Sequence, residues 1–337
     1  MSTVSESIVP APGLEEAVFE KGDEVRLAGP LASLAWIAVA LLTYLWPDKP
    51  DSDWAYTTGT AVAFAIAGGL IAAAAITAAW LPLSRRVLRF APWFLVLAIF
   101  VDLWEVVTAK LGLLPMPFFP PPQALFEVIV DDWARLAEST GASLLLLAKG
   151  YFVGAIAGFV LGVGVGWSTR VGYWVHPILR FVGPLPATAW LPLAFFVFPS
   201  SASASTFLIA LATGFPVTVL TWSGVASVNS AYYDIARTLG ASQRFLVLKV
   251  AVPAAMPHVF VGLFMGLGNS FAVLVVAEML GVKSGLGWYL QWAQGWAAYA
   301  NMYAALIVTA IICSTLITVL FKLRDHLLSW QKGLVKW

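Results

Sequence analysis

The chain has 337 residues, 60% of them hydrophobic and 11% charged, where soluble domains run at roughly 45–50% apolar and 25% charged, and it therefore reads as an integral membrane protein. A formal net charge of +1 without any Lys/Arg-rich run gives no reason to expect nucleic acid as a partner, and the single cysteine, Cys313, excludes an internal disulfide or a cysteine metal cluster. Residues 1–27 are acidic from Glu6 to Glu24 and lack the basic and apolar regions of a cleavable signal peptide, so they read as a cytoplasmic tail, solvated or folded over LEEAVFEKGDEVRLA as a surface amphipathic helix.

Runs of about 20 apolar residues can cross about 30 Å of hydrocarbon as helices. They recur near Gly29 to Trp46, Thr58 to Trp80, Pro92 to Leu114, Leu144 to Trp167, Ile178 to Phe198, Ser205 to Trp222, Val259 to Leu280 and Tyr303 to Leu323. The prediction is an all-α membrane protein with about eight transmembrane helices. Basic residues fall in alternate connections: Arg85, Arg86 and Arg89, then Arg170, then Arg237, Arg244 and Lys249, then Lys322, Arg324, Lys332 and Lys336. Those connections, and with them both termini, are expected in the cytoplasm.

Composition shifts at LPLSRRVLRFAP, 81 to 92, a basic linker bounded by prolines. It separates residues 28–91, two Ala-rich spans without a central ionisable group, from residues 92–330. A C-terminal tail, 331–337, follows. LLPMPFFPPPQ, 113 to 123, is an extended proline-rich turn, and Leu125, Val128, Ile129, Trp133 and Leu136 beyond it recur at helical spacing, as on an external interfacial helix. Gly150, Gly154, Gly158, Gly162 and Gly166 make a bare backbone face on the fourth span, open to another helix of this chain or to a second copy.

Between the sixth and seventh spans lies a polar island, Asn229 to Pro253. Asn229 or Ser230 can cap a helix to about Leu239, Gly240 suits the left-handed position that ends it, and Ser242 can cap a second helix that runs to Lys249 before Pro253 bends the chain. Asp234-Ile235-Ala236, three residues, Gly240, nine residues, Val250, one residue, Val252-Pro253 resembles the cytoplasmic signature of ABC importer membrane subunits, with Asp in place of Glu and other apolar residues at 235, 250 and 252. The block from Leu185 to Leu193, LPATAWLPL, together with Gly214-Phe215-Pro216-Val217, Ala277-Glu278-Met279-Leu280 and Gly285-Leu286-Gly287, resembles the nitrate, sulfonate, taurine and bicarbonate branch. The likeness covers about 92 to 330 and departs at PSSASAS, 199 to 205, where that branch has a Gly-rich turn.

The resemblance implies a six-helix type I permease core with two extra N-terminal helices, in a bacterial inner membrane. It implies a pair of permease copies, a cytoplasmic ATP-binding subunit beneath each, and an external solute-binding protein. ATP and Mg belong to the partner subunit; no cofactor, metal or catalytic residue is expected in this chain, which has neither a phosphate-binding Gly-x-x-x-x-Gly-Lys motif nor His-Glu-x-x-His. The residues carried over to ATPase coupling are Asp234, Ala236, Arg237, Gly240 and Pro253, with Arg237 facing the partner, facing lipid phosphate, or merely solvated.

Ionisable groups inside a membrane usually face protein or water. That singles out Asp102, Glu105, Lys149 and Glu278, of which Asp102, Glu105 and Glu278 are candidates for a substrate path or gate, or internally bonded groups; Trp190 either shapes the path or packs between helices. The rival reading is a self-sufficient secondary transporter or channel, which inverted repeats would favour. A membrane enzyme would need clustered ligands that are not visible here.

Overall fold

A computed structural model describes residues 14–49, 54–78 and 80–331, except the side chains of 14–26 and 331. All regular elements among the described residues are helical, because segments with no water around them must pair every backbone N–H and C=O internally. The chain forms two compact units, Met1–Asp131 and Asp132–Trp337.

The first unit contains α1 (Leu14–Leu45), α2 (Thr57–Thr77), the short α3 (Pro82–Leu88), α4 (Ala91–Glu105) with a π-helical extension Val106–Lys110, and α5 (Pro122–Asp131). Its core is Ala32, Trp36, Val39, Ile71 and Ala98, where α1 meets both α2 and α4. The expected basic linker is thus partly helical. Prolines stand in the first turns of α3 and α4, where a missing N–H costs nothing. The expected amphipathic character of the N-terminal tail and the C-terminal tail 331–337 lie outside the described side chains.

The second unit contains α6 (Trp133–Trp167), α7 (Thr169–Val182), a 3₁₀ turn Ala187–Trp190 leading into α8 (Leu191–Val197), α9 (Ser201–Ala226), α10 (Ser230–Thr238), α11 (Gln243–Phe245), a π-helical segment Leu246–Ala251, α12 (Val252–Gly281), α13 (Leu286–Gly295) and α14 (Tyr299–Leu327). The helix expected across residues 124–138 is divided, with α5 ending at Asp131 and α6 starting at Trp133. Asp132 leaves helical geometry at φ −108°, ψ 17°. At 35 residues α6 is about 52 Å long, so one end of it projects beyond a hydrocarbon core of about 30 Å.

The glycine face of α6 seats α9 of the same chain. A Cβ on Gly150, Gly158, Gly162 or Gly166 would lie 2.5–2.7 Å from atoms of α9, and one on Gly154 would overlap the Ala210 backbone. Gly150 meets Ile209 while Gly166 meets Val225, so both helices advance together and are parallel. On the other flank of α9, Gly262 meets Val217 and Gly266 meets Thr213, so α12 is antiparallel to it. With 56% of its most apolar stretch buried, α9 is the central helix; the 11% of α14 marks it as peripheral.

That parallel pairing decides how the fifth expected span is built. Among the described residues seven helices are long and apolar enough to cross a bilayer, and α7 with the segment Ala187–Val197 forms an eighth such stretch bent by 88°. A chain leaving the end of α6 and entering the start of a parallel α9 must return across the same thickness, so the bent pair is the return crossing. It is not the single helix expected from Ile178 to Phe198. Pro184 and Pro186 supply no N–H to carry the helix on, and the chain turns extended at Pro186 (φ −61°, ψ 141°), which breaks the span in its middle. At the turn before α9, Ser200 and Ser203 form a reciprocal capping box, the local function of the serine-rich PSSASAS segment.

Candidate functional site

The polar island is built as a capped and exposed helix. Asn229 Oδ1 accepts the Ala231 N–H at 2.9 Å, α10 follows, and Gly240 at φ +82° ends it with N–H bonds from Gly240 to the Arg237 carbonyl (2.9 Å) and from Ala241 to the Ala236 carbonyl (3.0 Å). Residues of α10 are half-buried or exposed; Tyr232, Ile235 and Leu239 present an apolar stripe, Leu239 with 83% of its surface free. Asp234 and Arg237 form an exposed pair at 3.5 Å beside that stripe. On the opposite face Tyr233 stacks edge-on against Trp167, 5.6 Å between ring centres, and packs on Val225, Ala251 and Ala255. One tyrosine thus ties α10 to the ends of α6, α9 and α12.

Beyond Gly240 the structure differs from expectation. Ser242 caps the next helix through the Phe245 N–H (3.4 Å), but that helix does not stop at Lys249 and continues through Pro253. Residues Gln243–Gly281 run as one membrane-length helix of 39 residues. The π segment Leu246–Ala251 widens the turn just before Pro253, which removes the clash that its ring would make in an α-helix.

Near the far end of the same rod, Glu278 is only 1% exposed. Its carboxylate accepts the Ser143 hydroxyl (2.7 and 2.9 Å to the two oxygens) and the Gly287 N–H (2.8 Å), while Ser143 Oγ accepts the Leu286 N–H (2.8 Å). Gly285, at φ +115°, sits where a side chain would strike that carboxylate. The knot fastens α6, α12 and the start of α13. A second tie lies beside it: Tyr289 donates to Asp132 (2.6 Å) and accepts from Asn301 Nδ2 (2.7 Å). Burial, then the bond to Asp132, raises the Tyr289 phenol well above its ordinary value and keeps it a donor at neutral pH.

Between these ends a cavity of about 430 Å³ opens at the break in the fifth crossing. It is lined by Gly183 to Thr188 and, on α9 and α12, by residues that include Phe215 and Asn269. Asn269 is exposed in the middle of a span and has no hydrogen-bond partner among the described residues. An amide in that position is stable only where water or a polar solute can reach it. Trp190, two residues past Thr188, packs half-buried against the core around Leu191 and Leu208 instead.

Asp102 and Glu105 lie in the first unit. Glu105 is fully buried, accepting from Thr43 (2.6 Å) and Gln123 (2.9 Å) with Lys110 Nζ at 3.5 Å. Lys110 also donates to Asp48 (2.7 Å) and to the carbonyls of Thr43 and Trp46. Asp102 is half-buried and has no hydrogen-bond or ion-pair partner among the described residues. Sequence reasoning missed Asn269 and Lys110; the first had a visible signal, a lone amide within an apolar run.

An all-helical membrane protein with a broken crossing, a cavity beside the break that Asn269 lines and an exposed short helix joined to a full-length span has the make-up of the membrane component of a transporter. A family model described as "Binding-protein-dependent transport system inner membrane component" matches residues 150–332, more than half of the chain, and the chain belongs to this family. It is thus an ABC transporter permease. The taurine transport system permease protein TauC of Escherichia coli K12 is 32% identical over 257 residues, covering 74% of this chain and 92% of TauC. The nitrate import permease protein NrtB of Synechococcus elongatus is 28% identical over 63% of this chain and 79% of its own length. The putative aliphatic sulfonates transport permease protein SsuC of Bacillus subtilis is 28% identical over 70% and 86% respectively. Among solved structures, a chain of the MetNI methionine ABC transporter aligns with a TM-score of 0.47 at 14% identity, covering 55% of this chain and 92% of that one.

Proposed function

We propose that the chain is the permease subunit of an ATP-driven, binding-protein-dependent importer of a small oxyanion or organosulfonate, of the nitrate, sulfonate, taurine or bicarbonate class. Two copies pair in the inner membrane, with both termini and the basic connections in the cytoplasm. A solute-binding protein delivers substrate outside, and an ATP-binding subunit that holds ATP and Mg seats the Tyr232, Ile235 and Leu239 stripe beneath each copy. Asp234 and Arg237 border that contact, the Ala236 carbonyl and Gly240 shape its end, and Pro253 belongs to the rod that carries motion away.

The observation that supports this most is the continuity of Gln243–Gly281. An exposed docking helix, an unpartnered amide beside a cavity and a buried carboxylate knot all lie on or next to one rod. Displacement of α10 on closure of the ATPase dimer enters the rod through the short Gly240 turn and through Tyr233 packed on Ala251 and Ala255, and the rod carries it on to the cavity and the outer knot. In this reading Asn269 and the broken crossing line the solute path, Glu278 fastens its outer end, and Trp190, Asp102 and Glu105 support helices.

Reconstitution in liposomes with the ATPase and the binding protein tests it. Uptake of taurine, an alkanesulfonate or nitrate is expected only with ATP inside the liposomes on the ATPase side, and Gly240→Pro, which cannot adopt φ +82°, is expected to abolish it. Uptake by the isolated chain driven by an ion gradient would refute the reading and favour the secondary transporter.

A further inference from the structure

The first unit holds a groove that the transport reading does not use. It is about 580 Å³ and runs between α1, α2, α3 and α4, with Trp36, Ala67, Ala74, Leu83, Val87 and Phe94 among its walls. Its three polar side chains are all engaged: Trp36 Nε1 with the Phe94 carbonyl (3.1 Å), Thr77 with the Ala73 carbonyl (2.7 Å) and with Ser84 (2.7 Å). Nothing in the walls calls for water or a polar solute, so the fitting occupant is apolar.

The shape of the groove says which apolar molecule fits. Along α2 it extends from Ala67 to Thr77, about 15 Å of helix, which is half of a hydrocarbon core of about 30 Å. It is therefore one leaflet deep. At about 30 Å³ for a group of water or methylene size, its volume takes roughly nineteen such groups, close to one membrane acyl chain. The end of the groove is lined by Leu83, Ser84 and Val87 of α3, which also carries the exposed Arg86, with the exposed Arg89 just past its end. Trp80 and Trp93, 86% and 73% exposed, flank α3 and mark it as the membrane–water boundary. Two guanidinium groups at headgroup level above an apolar slot complement an anionic phosphate with a chain hanging from it.

We propose that this groove binds one anionic glycerophospholipid, with an acyl chain between α2 and α4 and its phosphate beside Arg86 and Arg89. The site gives the N-terminal unit a role of its own, lipid recognition, and the inference does not depend on what the second unit transports.

The test is native mass spectrometry of the full-length chain in detergent, titrated with phosphatidylglycerol and with phosphatidylcholine of the same acyl chains. One phosphatidylglycerol is expected to be retained in preference to phosphatidylcholine. Ala74→Trp, which fills the slot, is expected to remove it, and Arg86→Gln with Arg89→Gln to lower the preference on the order of tenfold with unchanged melting. Equal retention of the two lipids by the natural chain overturns the proposal, as does no retention at all, which would mean that protein closes the groove. If Ala74→Trp does not fold, the exposed arginine pair decides: an unchanged preference in that variant is equally fatal.

Discussion

Replacing Ser143 by alanine tests the Glu278 knot. The hydroxyl does two jobs at once, donating to the Glu278 carboxylate and accepting the Leu286 N–H, and both bonds are buried. Its removal leaves a backbone N–H without an acceptor, worth about 1–3 kcal/mol, and takes one donor from a carboxylate, worth about 1.5–3 kcal/mol. Since the two losses share one group they do not add fully, and a destabilisation of about 3 kcal/mol is expected. At about 2–4 °C per kcal/mol for a unit of this size, the melting temperature of the purified chain should fall by roughly 6–12 °C in a scanning fluorescence assay. Glu278→Gln provides the contrast. Its amide oxygen can still accept the Gly287 N–H and its nitrogen can donate to Ser143, so the shift should be small, about 1 kcal/mol or less. A Glu278→Gln chain that melts as low as Ser143→Ala would show that charge, not hydrogen-bond geometry, holds the knot, and a silent Ser143→Ala would refute the network itself.

Leu239→Glu should leave melting within about 0.5 kcal/mol of the natural chain, because this side chain is 83% exposed, while copurification with the ATPase subunit is lost. Gly158→Leu should cost at least 1–3 kcal/mol or prevent folding, because its Cβ would press on the Gly214 backbone; Gly141→Leu, with open space at its Cβ, is the control, and the two are compared by yield and melting in detergent. Lys110→Met strands the buried Glu105 and should destabilise the first unit by about 3–5 kcal/mol, much of it regained when Glu105→Gln is added, as read by melting of both variants. Asn269→Leu should reduce ATP-driven uptake in liposomes while stability and assembly with the ATPase stay unchanged, since the amide makes no bond among the described residues that the leucine would break.

The spans were legible because a run of about 20 apolar residues has few other stable forms, and the caps at Asn229, Gly240 and Ser242 were legible because each is a local hydrogen-bonding or backbone-conformation problem. The break at Pro184 and Pro186 was hidden by composition. The residues on both sides are apolar, so hydropathy joins what backbone geometry divides. Pro253 misled in the opposite direction: a proline kinks an α-helix, but the π turn before it leaves room for the ring. The partner of Glu105 was concealed for a related reason. In an α-helix, residue 110 points well away from residue 105, and only the wider turn of Val106–Lys110 brings the lysine round to the same face. Asn269 was overlooked because a search for charged groups passes over an amide, although in a span an unpaired amide carries a similar demand for water.

The rod from Gln243 to Gly281 has its midpoint at Gly262, where it is pressed against Val217 of α9 with no side chain between. A beam pressed at its centre can behave as a seesaw. With a half-length of about 28 Å, a tilt of 5° about that glycine swings either end by roughly 2.5 Å in opposite directions. Asn269, seven residues from the pivot, moves with the Glu278 arm. Such a beam cannot splay outward at both ends together, so a pathway beside it that widens at one mouth narrows at the other.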